Sequence, residues 1–90
     1  MALRIGIVQI GAQPRLDVRL WMLLWQLADR HGRVHADGVH LELPLTHELL
    51  ANLVGARRPS VSTALAALAA EGRLRREGRA WILIGDPPPP

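Results

Sequence analysis

An α+β domain with a three-helix core and two short β-hairpins is predicted from three observations. Two short amphipathic stretches, residues 46–55 and 58–72, are split by a glycine turn. A longer apolar stretch, residues 14–31, precedes them. Two runs rich in alternating side chains, residues 33–43 and 73–84, each fold back about a glycine. The 90-residue length fits one small domain, and with 49% apolar residues a packed core is expected rather than disorder.

Composition narrows the function classes. The absence of cysteine excludes a disulfide framework and thiol-rich zinc sites, and fits a reducing compartment, so a cytoplasmic location is expected. All eleven basic residues of the Lys+Arg count are arginines, the net charge is +3 and the sequence pI is about 11.3. That balance suits a polyanionic partner, or equally an arginine-rich solvated surface. Asp17, Arg19, Gln26 and Asp29 interrupt the apolar stretches well short of the ~20 residues of a membrane span. The opening MALRIGIVQIG has one arginine and no cleavage site of the signal-peptide kind.

Residues 1–13 read as a strand or as the end of a helix from a linker or dimerisation segment, with Gly6 and Gly11 weakening the helix; a loosely fixed cover over apolar surface is expected. Pro14 fits the first turn of a helix that runs to about His31 and is ended by Gly32. Leu16, Leu20, Leu23 and Leu27 fall on one side of its wheel, and Val18, Trp21, Met22 and Trp25 on the other. Such a helix is expected between two layers. One is the later helix pair. The other is either the domain's own strands with the N-terminal segment, or a second domain or subunit.

Asp37-Gly38 signals a tight turn between residues 33–35 and 39–43, where Val39, Leu41 and Leu43 alternate with His40 and Glu42. Pro44 stops that strand, and Thr46 is placed to cap the next helix. In that helix Leu49, Leu50, Leu53 and Val54 form the expected apolar face. Gly55 ends it because glycine takes the left-handed conformation at little cost. The next helix starts near Arg58 and Pro59, and buries Val61, Leu65 and Leu68 at i, i+4 and i+7. Residues 73–77 and 80–84 form a second hairpin around Gly78, carrying Arg73, Arg75, Arg76 and Arg79. Residues 85–90, GDPPPP, cannot join a sheet and are expected to be an extended mobile tail.

Two amphipathic helices around a short glycine turn predict a helix-turn-helix, whose second helix enters the DNA major groove. A basic hairpin directly after it is a wing, so the fold expected is a small winged helix-turn-helix over residues 14–84. On the second helix Pro59, Thr63, Ala66 and Ala70 face away from the core, a small surface that admits a closely approaching partner. Arg58 at its N-terminus has the fork to read guanine O6 and N7. Ser60, Ser62 and Thr63 can donate to phosphates or base edges, and Arg57 suits a phosphate. Small residues also simply favour helix, but the turn, the arginines and the basic hairpin occur together. Enzyme chemistry finds little support. His31, His35, His40 and His47 form no HExxH motif, and the carboxylates are scattered without a close pair. His35 and His40, five apart across a turn, leave a metal site open, though solvated histidines are the commoner outcome; no phosphate-binding GxxxxGK[ST] loop occurs.

The run Thr46-x-x-x-Leu50-Ala51-x-x-x-Gly55-x-x-Arg58-x-Ser60-Val61-Ser62-x-x-Leu65-x-x-Leu68-x-x-x-Gly72 closely resembles the winged-helix DNA-binding domain of Crp/Fnr-type transcription regulators. The similarity extends back to about Pro14 and forward to about Ile84. The resemblance implies a homodimeric bacterial regulator that binds double-stranded DNA sequence-specifically; no cofactor, metal or membrane contact is expected of these residues. Such proteins carry a cyclic-nucleotide-binding-like sensor barrel and a dimerisation helix, neither of which fits in these residues. Arg58 matches the family's base-reading arginine. Thr46 and His47 match the helix start that approaches phosphate, while Glu48 is electrostatically unsuited to it. Arg75, Arg76 and Arg79 fall in the wing. Pro59 stands where many members have a base-reading glutamate, and Thr63 where many have a second arginine, so a TGTGA-type half-site is not implied. The rival reading is a winged helix used for protein interaction or dimerisation without DNA.

Overall fold

The computed structural model describes residues 15–89. Residues 1–13, Pro14 at the expected helix start, and Pro90 lie outside them. The elements in chain order are α1 (Leu16–His31), β1 (Gly32–His35), β2 (Gly38–Leu41), α2 (His47–Val54), α3 (Arg58–Ala70), β3 (Leu74–Glu77) and β4 (Ala80–Leu83). This is the predicted α+β class, three helices with two hairpins. The hairpins are not separate. They join through β2 and β4 into one antiparallel sheet of order β1-β2-β4-β3, with His40 opposite Ile82 and Leu41 opposite Trp81. Strand β4, as a central strand, is buried along its whole length.

Gly38 makes that junction possible. Its φ is +142°, and a Cβ there would stand 2.6 Å from the Leu83 carbonyl oxygen and 3.1 Å from Ile82 Cγ2. No side chain fits between the two strands at this point. Gly32 ends α1, as expected, but by a different route from a left-handed cap. It is extended (φ −83°), already belongs to β1, and a Cβ would meet the Ala28 carbonyl oxygen at 2.6 Å.

The helix faces require two corrections. The expected opposition of Leu16, Leu20, Leu23 and Leu27 to Val18, Trp21, Met22 and Trp25 does not hold. The buried stripe of α1 is Leu20, Trp21, Leu24 and Ala28, which cuts across both sets. Leu16, Leu23, Trp25 and Leu27 flank it half-buried, while Val18 and Met22 point outward. The helix touches α2 and α3 as well as β1 and β2, so the domain's own sheet supplies one of its two layers. In α2 the buried residues are Leu50 and Ala51, whereas Leu49 and Leu53 are exposed. Neighbouring leucines on so short a helix cannot all face inward, because each residue turns the helix by about 100°.

The remaining expectations for these elements hold. The Thr46 hydroxyl accepts the Leu49 N–H at 3.0 Å. Gly55 is left-handed (φ 69°), and its N–H donates to the Ala51 carbonyl. Val61, Leu65 and Leu68 are buried on α3, joined by Ala64. Beneath the helices the core is closed by Leu41, Leu74, Trp81 and Leu83 from the sheet. Residues 84–89 have no helix or strand, and residues 87–89 border grooves along α1.

Candidate nucleic-acid interface

Helix α3 is anchored by its buried stripe to α1 and α2, which turns Arg58, Pro59, Ser60, Thr63, Ala66, Ala67 and Ala70 to solvent. Its N-cap is Arg57, with no side-chain cap bond, a proline in the first turn and no acidic residue there. The start of the helix thus combines its own positive dipole end with two arginines. The side chains of Arg57 and Arg58 make no hydrogen bond or ion pair among the described residues, and both residues are exposed. The Thr63 hydroxyl, expected to face a partner as a donor, is turned back on its own helix and donates to the Pro59 carbonyl at 3.1 Å.

The start of α2 meets α3 at His47. Its Nδ1 lies 2.7 Å from Ser62 Oγ, so two of the sequence-predicted residues are tied to each other. Both are half-buried. The imidazole also lies near the Trp81 ring, centroid to centroid 6.5 Å. The Arg76 guanidinium sits 3.8 Å from the Trp81 ring centroid, and its Nε donates to the Ala80 carbonyl at 3.3 Å. One chain of contacts therefore links α3, the N-terminus of α2 and the wing: Ser62, His47, Trp81, Arg76.

Arg75 goes elsewhere. Consecutive residues of a strand project to opposite faces of a sheet. Arg76 stands opposite Trp81 and shares its face, whereas Arg75 stands opposite Ile82. Its guanidinium lies 2.6 Å from Asp37 Oδ2, on the turn of the first hairpin, and 3.0 Å from Glu77 Oε2. Asp37 Oδ1 in turn lies 2.8 Å from His40 Nε2, and the His40 ring stacks on His35 at 3.9 Å. The hydrogen bond from His40 and that from Arg75 hold the Asp37 carboxyl below the usual aspartate range, and Asp37 in turn raises the Arg75 guanidinium. Arg79, in the wing turn beside Gly78, is exposed, and its side chain makes no hydrogen bond or ion pair among the described residues.

The structure thus gathers Thr46, His47, Ser62 and Arg76 with the N-terminus of α3, and sets Arg75 on the opposite sheet face. Three residues that hold these elements together carry little or no sign of it in the sequence. Trp81 had a signal, because a two-residue turn at Gly78 sets it across from Arg76. Asp37 was read as a turn residue alone. Arg19 of α1, whose guanidinium donates to the Val54 carbonyl at the end of α2, had none, since the pair is 35 residues apart. That bond satisfies one of the orphan carbonyls of a helix C-terminus. Among the described residues no three His, Cys, Asp or Glu side chains converge as a metal site, and no helix is long and apolar enough to cross a membrane.

Residues 18–88 match the family model described as the Crp-like helix-turn-helix domain. Over 63 residues the chain is 43% identical to the CRP-like cAMP-activated global transcriptional regulator of Mycobacterium tuberculosis, a match covering 70% of this chain and 28% of that protein. It is 33% identical over 80 residues to regulatory protein CysR of Synechococcus elongatus, covering 86% and 39% of the two chains. In structure it is similar to the CO-dependent transcription factor CooA from Carboxydothermus hydrogenoformans, with a TM-score of 0.67, 33% identity, and coverage of 87% of this chain and 34% of that one. The matched segment is well under half the length of each of these relatives.

Proposed function

The chain belongs to the Crp-like helix-turn-helix family, and from that premise we propose that it binds double-stranded DNA in transcription regulation, α3 lying in the major groove. The observation that carries this is the arrangement of two arginines with unpaired side chains at the start of α3, the capped start of α2 tied to α3 through His47 and Ser62, and Arg76 stacked on Trp81 beside His47. Arg58 reads bases. Arg57, Arg76, Arg79, Thr46 and His47 hold phosphates, which fixes register without reading sequence. Pro59 and Ser60 present a small surface that lets the helix sit deep. Arg75 takes no direct part, because Asp37 and Glu77 already occupy its guanidinium.

The reading extends to the whole regulator. The relatives are two to four times longer than their matched segments. We place this domain in a longer cytoplasmic bacterial protein that also carries a sensor and acts as a homodimer, with no enzymatic role for the domain itself. The exposed Val18 and Met22 on α1 favour, as a second reading, a module that docks protein rather than DNA. Fluorescence anisotropy with a random-sequence duplex at two salt concentrations separates the two. DNA binding by arginines weakens steeply with salt; a docking module shows no such binding. Arg58→Ala is expected to cost about 1–3 kcal/mol of specific affinity and to relax preference at one base pair. An unaltered preferred sequence in a binding-site selection would remove Arg58 from that role.

A further inference from the structure

The bond between His47 Nδ1 and Ser62 Oγ, 2.7 Å long, holds one hydrogen atom, and which group supplies it decides what Ser62 can offer a partner. We infer that His47 is a proton-dependent positioning residue: protonating it converts Ser62 from an acceptor into a donor toward DNA, so that the domain binds DNA more tightly as pH falls. The inference rests on the DNA-binding reading above. In the neutral ring as we assign it, the proton is on Nε2, and Nδ1 accepts the Ser62 O–H. Ser62 then turns only lone pairs outward, which a phosphate oxygen repels. In the imidazolium both ring nitrogens carry hydrogen. Nδ1–H now donates to Ser62 Oγ, and the serine hydroxyl hydrogen is released to donate outward. No bond is made or broken except that of one proton taken from solvent.

Charges around the ring set the direction of linkage. The charged groups near the ring are Arg76, stacked on Trp81, Glu48, the next residue on α2, and Arg58, one turn before Ser62 on α3. Ser62 on α3 and Trp81 on β4 are uncharged. An arriving phosphate adds negative charge and tips the balance toward the imidazolium. Binding therefore takes up a proton. A complex that holds a proton more tightly than the free protein gains affinity as pH falls through the interval between the two, and is flat on either side. Histidine is the side chain whose ordinary titration lies within about pH 5 to 8.

The experiment measures Kd for a random-sequence duplex, at fixed ionic strength, from about pH 8 to about pH 5.5. About a tenfold tightening is expected for the unaltered chain, the scale of one added hydrogen bond to a charged group. His47→Gln, which keeps a polar amide but does not titrate, loses that gain. Ser62→Ala, on a helix that accepts alanine readily, loses it as well. A gain that survives His47→Gln comes from another group, His31, His35 or His40, and overturns the inference. A gain that survives Ser62→Ala but not His47→Gln is plain charge attraction and overturns the role of Ser62. Nitrogen-15 spectra of the imidazole give an independent check: Nδ1 without hydrogen at high pH is expected, and Nδ1–H there would overturn the assignment. Absence of salt-dependent duplex binding at every pH would instead sink the DNA-binding reading itself.

Discussion

Replacing Gly38 by alanine tests whether the two hairpins are truly one sheet. The position carries two separate penalties. Its φ of +142° lies in a region that L-residues rarely adopt, which costs about 1–3 kcal/mol. The new Cβ would also stand 2.6 Å from a backbone oxygen of β4, an atom that cannot swing away as a side chain does. Overpacking of this kind costs about 1–3 kcal/mol more. Gly55→Ala is the matched control. It has a left-handed φ of 69° but nothing within 4 Å of the added methyl, so only the conformational cost of about 1–2 kcal/mol applies. Gly38→Ala should therefore lose roughly 2–6 kcal/mol, a large part of the 5–15 kcal/mol that holds a typical domain. Urea denaturation followed by tryptophan fluorescence measures both variants, and their midpoints should differ by about 1–2 M. A Gly38→Ala chain that fails to fold while Gly55→Ala folds is the extreme of the same result. Equal midpoints would mean that β2 and β4 are not in the close contact described, and that the wing hangs free of the first hairpin.

Other outcomes follow from individual contacts. Thr46→Ala removes the cap of α2 and should cost about 1 kcal/mol, lowering Tm by roughly 4–8 °C in differential scanning calorimetry. Asp37 has its carboxyl held below the usual range by His40 first and Arg75 next. Its contribution to stability is present above the ordinary aspartate range and lost as pH falls through the lowered folded value. Unfolding measured between about pH 5 and about pH 2.5 should show a smaller loss in Asp37→Asn than in the unaltered chain. Arg76→Ala should weaken duplexes of all sequences alike and reduce the salt slope by about one phosphate contact, whereas Arg75→Ala should leave the slope unchanged.

The parts legible in the sequence are those decided by short-range chemistry. Thr46, Gly55 and Pro59 mark helix ends through backbone bonds made within a few residues, and each sits where its chemistry requires. Asp37 and Gly78 lie in turns in the same way, but the first turn sits one residue earlier than expected, at residues 36–37, and Gly38 already opens β2 opposite His35. The α1 stripe was harder, because that helix is apolar almost all round, and a wheel cannot choose among leucines without knowing where the neighbours lie. Leu24, wholly buried, belonged to neither predicted side. The joining of the hairpins depends on a pairing some 40 residues apart in sequence. Even so, the unbroken apolar run Ala-Trp-Ile-Leu at 80–83 carried a sign of it, since a strand buried on both faces has no polar alternate. For the candidate site, sequence grouped Arg75 with Arg76 by charge. Strand alternation separates them, and only one can share a face with α3.

The stacking of Arg76 on Trp81 has an entropic side. A long arginine chain loses up to ~2 kcal/mol of rotamer freedom when it is immobilised. Arg57, Arg58 and Arg79, unpaired among the described residues, would lose that freedom at the moment of docking. Arg76 has given up much of it already, as the chain folds, by lying across the indole and bonding to Ala80. Trp81 is 1% exposed and touches no partner itself. It nevertheless strengthens any complex the wing makes, by having set its arginine in place beforehand.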